Sequence, residues 1–194
     1  MIRKVAFDMD GVLCDFIAAA IREGIYDPDT GAFDAEKMHE KDDNFWAELP
    51  VIVEGFWLYS RLYAFSKKHD LKIFILSHAV NDQARIGKKM WLERELRANP
   101  MDIVLVAKRA DKNEFADKET LLIDDYDKNV EDFKKAGGNA IVFHRNNMKQ
   151  TLEDLRTFLN DIECISSFIQ INVYNVLFLH ARCFYFFSYR LHQA

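Results

Sequence analysis

The chain has 194 residues, 49% of them apolar and 29% charged, with a formal net charge of -5. That length suits one globular domain with a substantial core and at most a small insertion. The acidic balance argues against a nucleic-acid backbone as main partner, since that partner rewards clustered Lys and Arg, but it leaves room for a small anionic substrate if a bound cation reverses the charge locally.

Residues 3–7 form a short apolar run that ends in Asp8, which reads as a buried strand with an acidic loop at its carboxyl end. A helix is expected over about 13–24, with Phe16, Ile17, Ala20 and Ile21 at helical spacing. Residues 27–31 are a turn by composition, and 32–50 are polar with scattered aromatics up to Pro50. A second helix is expected from Gly55 to Lys68, burying Phe56, Leu58, Tyr59, Leu62, Tyr63 and Phe65. Residues 71–76 make a second strand, ending at Ser77. A third helix near 81–97 would bury Ile86, Met90, Trp91 and Leu96. Strands follow at 101–106 and 119–123, the latter ending at Asp124 and Asp125, then a helix at 129–135, a strand at 140–143 and a last helix near 150–160. Strands that are apolar throughout and alternate with helices define an α/β fold with a mainly parallel, Rossmann-like sheet buried on both faces. In such folds ligands gather beyond the carboxyl ends of the strands, where Asp8, Ser77 and Asp124 fall.

Those strand ends carry chemistry. Asp8 and Asp10, with Gly11 allowing a tight turn, can chelate a hard cation or divide nucleophilic and acid/base labour. A carboxylate nucleophile attacking a dianionic phosphate needs a neutralising cation. Ser77 offers a hydroxyl to a phosphoryl oxygen. Lys112 offers a point charge, with Lys108 as its rival. The adjacent acids Asp124 and Asp125 repel each other and call for a cation between them and Asp8. Each element alone is common in ordinary proteins; their order and their placement on strand ends carry the weight.

In that order, Asp8 to Val12, Ser77, Lys112 and Asp124-Asp125 resemble the four signature motifs of the haloacid dehalogenase (HAD) superfamily. The wording from Phe7 to Phe16 and from Leu121 to Asp125 is similar to the 5'(3')-deoxyribonucleotidase branch and its short phage and bacterial relatives. The resemblance spans about residues 1–160 and implies a HAD core over 1–14 and 69–163, with a small helical cap over 15–68. It implies a Mg²⁺-dependent phosphomonoester hydrolase working through an aspartyl-phosphate. Asp8 would be the nucleophile and a metal ligand. Asp10 would be the acid/base and a ligand through its main-chain carbonyl. Ser77 and Lys112 would bind phosphate, Asp125 would be the most direct acidic metal ligand, and Asp124 would stand beside it. Asp10 also argues for a phosphatase rather than a dehalogenase, which lacks that acid. The expected substrate is a small phosphate ester such as a nucleotide. The cap's aromatics either stack on a base, with Phe16 and Trp46 the candidates, or form the cap's own core. A polynucleotide-end phosphatase and a catalytically silent binding module are the alternatives.

Three cysteines, Cys14, Cys164 and Cys183, give no disulfide framework and no zinc pattern, as suits reduced thiols in the cytoplasm. The opening apolar stretch is too short for a signal peptide. Residues 164–194 lack Asp and Glu and are dense in Phe, Tyr, Ile and Leu, but polar interruptions leave no clean membrane span. The role of this tail is open, and it holds none of the four motifs.

Overall fold

The computed structural model describes residues 1–159, and the apolar tail 164–194 lies outside them. Met1–Phe158 form one compact unit. Its elements run β1 (Lys4–Phe7), α1 (Phe16–Arg22), α2 (Ala35–His39), α3 (Asp43–Ala47), α4 (Val53–Ser66), β2 (Lys72–His78), α5 (Asp82–Leu96), β3 (Ile103–Val106), β4 (Thr120–Asp124), α6 (Asp127–Lys135), β5 (Asn139–Val142) and α7 (Met148–Phe158). Short 3₁₀ helices at Pro100–Asp102 and Arg109–Phe115 flank β3. Among the described residues no helix is long and apolar enough to cross a membrane.

The five strands form one sheet in the order β3-β2-β1-β4-β5, and every pairing is parallel. This is the α/β, Rossmann-like architecture expected from the continuous apolar runs. Alternation along the strands sends Ala6, Phe74, Leu76, Leu122 and Ala140 to one face, where Val130 and Phe133 of α6 cover them. The other face is closed in part by α4, whose Tyr59 meets Phe7 edge-on with ring centroids 5.4 Å apart. Register decides where the chemistry sits. Phe7 pairs with Ile75 on one side and Ile123 on the other, so Asp8, Ser77 and Asp124 emerge together at one sheet end.

Several expectations about helices need correction. The first helix starts at Phe16, not near 13, because residues 9–14 wind into a tight loop in which Leu13 and Cys14 N–H groups both donate to the Met9 carbonyl. Asp15 then caps α1 by accepting from the Ala18 N–H at 2.9 Å. Ile17 and Ile21, on the outer side of α1, are exposed. The polar stretch 32–50 contains two short helices, α2 and α3, whose N-caps Asp34 and Asp42 accept from Lys37 and Phe45 N–H groups. In α4 the buried residues are Gly55, Leu58, Tyr59 and Leu62, while Tyr63 is exposed. The third strand starts at Ile103, since Pro100–Asp102 form a 3₁₀ turn capped by Asn99 that leaves Met101 in solvent.

Helix α5 buries Trp91, as expected, but otherwise turns a different face inward. Ala84, Gly87, Lys88, Trp91 and Leu92 are buried, whereas Ile86 and Met90 are exposed. Gly87 sets this contact: a Cβ there would stand 2.1 Å from the Asp43 carbonyl oxygen and 2.6 Å from the Trp46 Cβ. The Trp91 indole N–H also donates to the Leu49 carbonyl at 2.7 Å. The preference for Ala over Gly in a helix is worth about 1 kcal/mol. The clash is with backbone and cannot be relieved by a rotamer change, so Gly87→Ala should destabilise the protein by a net ~1–3 kcal/mol. Urea denaturation measures this, and a midpoint equal to the wild type's would mean that α3 and α5 separate freely.

Candidate active site

Asp8 follows β1 directly, and its N–H donates to the Ile123 carbonyl of β4 at 2.9 Å, which carries the sheet's geometry into the site. Asp124 is the last residue of β4 and is fully buried. Lys112, only 2% exposed, bridges the two, with its Nζ 2.8 Å from Asp8 Oδ2 and 2.7 Å from Asp124 Oδ2. Asp124 also accepts from the Asn129 side chain at 3.0 Å and the Tyr126 N–H at 3.0 Å. Of the two lysines left open by the sequence, Lys112 is therefore the one at the strand ends. Lys108 is exposed and is the N-cap before the 3₁₀ helix, its backbone N–H donating to the Asp111 carboxylate.

Burial alone would raise the pKa of Asp8, but Lys112, then Lys88 and a hydrogen bond from Ser77, bring it below the ordinary carboxylate value. Asp8 is thus ionised. Lys112 is held protonated: burial opposes its charge, and Asp8 and Asp124 more than compensate. The neighbouring acids respond oppositely. Burial and then the charge of Asp8 push Asp124 up to about 6 despite Lys112. Asp125, with burial, Asp8 and Asp124 acting on it, is pushed up to about 7.

Asp8, Asp124 and Asp125 each offer a carboxylate oxygen, and these oxygens lie within 4.8 Å of one another. An all-oxygen set carrying excess negative charge fits a hard divalent cation such as Mg²⁺. Lys112 occupies an oxygen of both Asp8 and Asp124, and Asn129 holds Asp124 further, so Asp125 is the freest donor of the three. Gly11 makes room for Asp125. It has φ +75°, and a Cβ on it would stand 2.0 Å from Asp125 Oδ2.

Asp10 stands apart from this acidic triad. Its side chain pairs with Lys88, whose Nζ is 2.5 Å from Asp10 Oδ2. Lys88 is a residue that the sequence reading missed. It is 1% exposed, and its Nζ also donates to the His78 carbonyl at 2.6 Å and lies 3.5 Å from Ser77 Oγ. A signal was present, because positions 84, 87, 88, 91 and 92 recur at i, i+3, i+4, i+7 and i+8, the spacing of a buried stripe with a lysine at its centre.

A cavity of about 250 Å³ opens over these groups, with Asp8, Asp10, Ser77, Lys112 and Asp125 in its wall. Phe16 and Phe33 from the segment between β1 and β2, and Tyr126 after β4, line it as well. Phe33 and Tyr126 are 42% and 47% exposed. Trp46 is not at this surface, which corrects its reading as a stacking platform. It is 2% exposed, with Phe16 parallel to it at 5.4 Å and Phe45 edge-on at 5.2 Å. The α3–α5 contact pulls it inward.

No family model matches the sequence, and no curated protein does. Among solved structures, a hydrolase from Streptococcus pneumoniae TIGR4 overlaps 78% of this chain and 98% of its own at 17% identity, with a TM-score of 0.48. A hydrolase from Pseudomonas syringae overlaps 72% of this chain and 82% of its own, also at 17% identity, with a TM-score of 0.44. Both overlaps are loose, and neither carries an activity across to this chain.

The raised acids predict a pH dependence. Asp124 and Asp125 hold protons in the folded state that they would release when unfolded at the same pH, so stability falls as pH rises from about 4 to about 7. Asp8 acts in the opposite sense, but its window lies below its ordinary value of 3.8. The melting temperature of metal-free protein should therefore drop between about pH 5 and about pH 7.5, and Mg²⁺ should raise it more at the upper pH. In Asp125→Asn both effects should shrink. A melting temperature that climbs over this range, with no response to Mg²⁺, would contradict the assignment.

Proposed function

We propose that this chain is a phosphomonoester hydrolase of the HAD type, with Asp8 as nucleophile and Mg²⁺ as cofactor. The observation that carries the reading is a buried, ionised Asp8 at a strand's carboxyl end, held by Lys112 and facing a cavity that it shares with Asp10, Ser77 and Asp125. A carboxylate kept ionised in a buried setting and open to a cleft is suited to nucleophilic attack.

In this reading an Asp8 oxygen forms a bond to phosphorus as the bond from phosphorus to the ester oxygen breaks. Asp10 gives its proton to that departing oxygen. Water then attacks the aspartyl-phosphate and Asp10 takes a proton from it, so inorganic phosphate leaves and Asp8 is restored. Lys112 and the Ser77 hydroxyl hold the phosphoryl oxygens. Asp8 and Asp125, with Asp124 behind them, would hold Mg²⁺, which when bound supplies the positive charge that lets a dianion approach a carboxylate.

The substrate is a small phosphate ester, with a nucleotide as the leading class. What supports this is the aromatic lining contributed by Phe16, Phe33 and Tyr126, since aromatic faces stack on any nucleobase. The net charge of -5 favours a free nucleotide over a polynucleotide end. A silent binding module would need no nucleophile poised in this way.

Hydrolysis of a panel of nucleoside monophosphates, run beside a 5'-phosphorylated oligonucleotide with and without Mg²⁺, tests the reading. Mg²⁺-dependent release of phosphate from the mononucleotides is expected, and Asp8→Asn should retain less than about a thousandth of it. Undiminished activity in Asp8→Asn, or none in the wild type on any ester, would overturn the assignment.

A further inference from the structure

Lys88 is an ammonium enclosed by protein, outside the wall of the cavity that the substrate would fill. Removing such a charge from water is unfavourable, and an apolar side chain of similar volume generally serves packing as well or better. Its place on the inner stripe of α5, between Ala84 and Leu92, would suit Met or Leu on packing grounds alone. The charge is explained by what it holds. Nζ meets Asp10 Oδ2 at 2.5 Å and the His78 carbonyl at 2.6 Å, with Ser77 Oγ at 3.5 Å. Three acceptors match the three protons of an ammonium, so its orientation is determined. The Trp46 ring, with its centroid 5.4 Å from Nζ, covers it from α3.

We propose that Lys88 is a positioning residue for Asp10, fixing that carboxylate at the cleft so that it reaches the departing ester oxygen. Lys88 touches no substrate and acts through Asp10. Because Trp46 covers the lysine and lies parallel to Phe16 in the cavity wall, the helices between β1 and β2 take part in placing the acid. The inference rests on the phosphatase reading above and assigns a role within it.

The test uses the full chain with Mg²⁺ and reads a single turnover, enzyme in excess, so that only release of the first product is seen. A nucleoside 5'-monophosphate has a leaving oxygen that needs a proton, whereas p-nitrophenyl phosphate has one that departs without it. In Lys88→Met, release from the nucleotide should slow by about 100-fold or more, in line with general acid catalysis. Release of nitrophenol should slow by less than about 10-fold on the same scale. In an Asp10→Asn background, adding Lys88→Met should change nucleotide release by less than about threefold, since a residue acting through Asp10 has nothing left to place. Equal losses on both esters, or losses that multiply in the double variant, would overturn the proposal. If Lys88→Met does not fold, Lys88→Gln, which keeps a donor within reach of Asp10, is read in the same way and should give an intermediate discrimination between the esters. Absence of turnover by the wild type on both esters would sink the phosphatase reading and this inference with it, whereas turnover with the wrong pattern sinks the inference alone.

Discussion

The bridge from Lys112 to Asp8 and Asp124 governs the rest of the site. Parallel strands β1 and β4, paired in register, bring two carboxylates to the same level of the sheet, and both are buried. Unpaired, they would repel each other in a setting of low polarity, and at least one would take up a proton. A single ammonium between them, 2.8 Å and 2.7 Å away, keeps Asp8 ionised. Its compensation is incomplete: Asp124 and Asp125 remain raised to about 6 and about 7. The residual negative charge is what makes a divalent cation a chemically sensible further member of the cluster.

A second pair repeats this logic one layer away. Asp10 follows the same strand as Asp8, but its side chain turns to Lys88 of α5 and not toward the acidic triad. Two acids spaced by one residue therefore meet different cations and acquire different settings, which is how neighbouring carboxylates take on separate tasks. Gly11 keeps the two systems compatible, since its left-handed backbone turns the loop and the missing side chain leaves space for Asp125. The segment between β1 and β2 then lines the cleft with Phe16 and Phe33 and covers Lys88 with Trp46.

Strand positions and the parallel sheet were legible in the chain because the central residues of the strands are largely buried and so form continuous apolar runs. The acids at the strand ends were legible for the same reason, as each breaks an apolar run. Helix faces were harder. Ile86 and Met90 looked like core yet face solvent, because Gly87 lets α3 approach from another side of α5. Trp46 looked exposed from its polar neighbours yet is enclosed, since those neighbours are caps and helix surfaces: Asp42 caps α3, and Asn44 lies on it.

Sequence by itself determined the α/β class, the order of the strands along the chain, and the candidacy of Asp8, Asp10, Ser77, Asp124 and Asp125, because hydrophobic runs and the residues ending them are local properties. Tertiary structure alone decided which lysine joins Asp8, that Lys88 holds Asp10, and which aromatics reach the cleft. Those outcomes depend on contacts between residues far apart in the chain: 78 positions separate Asp10 from Lys88, and the pair is made only when α5 packs beside the loop after β1. A lysine reads the same in sequence whether solvent or a buried carboxylate waits for it, and only the packing around it makes the difference.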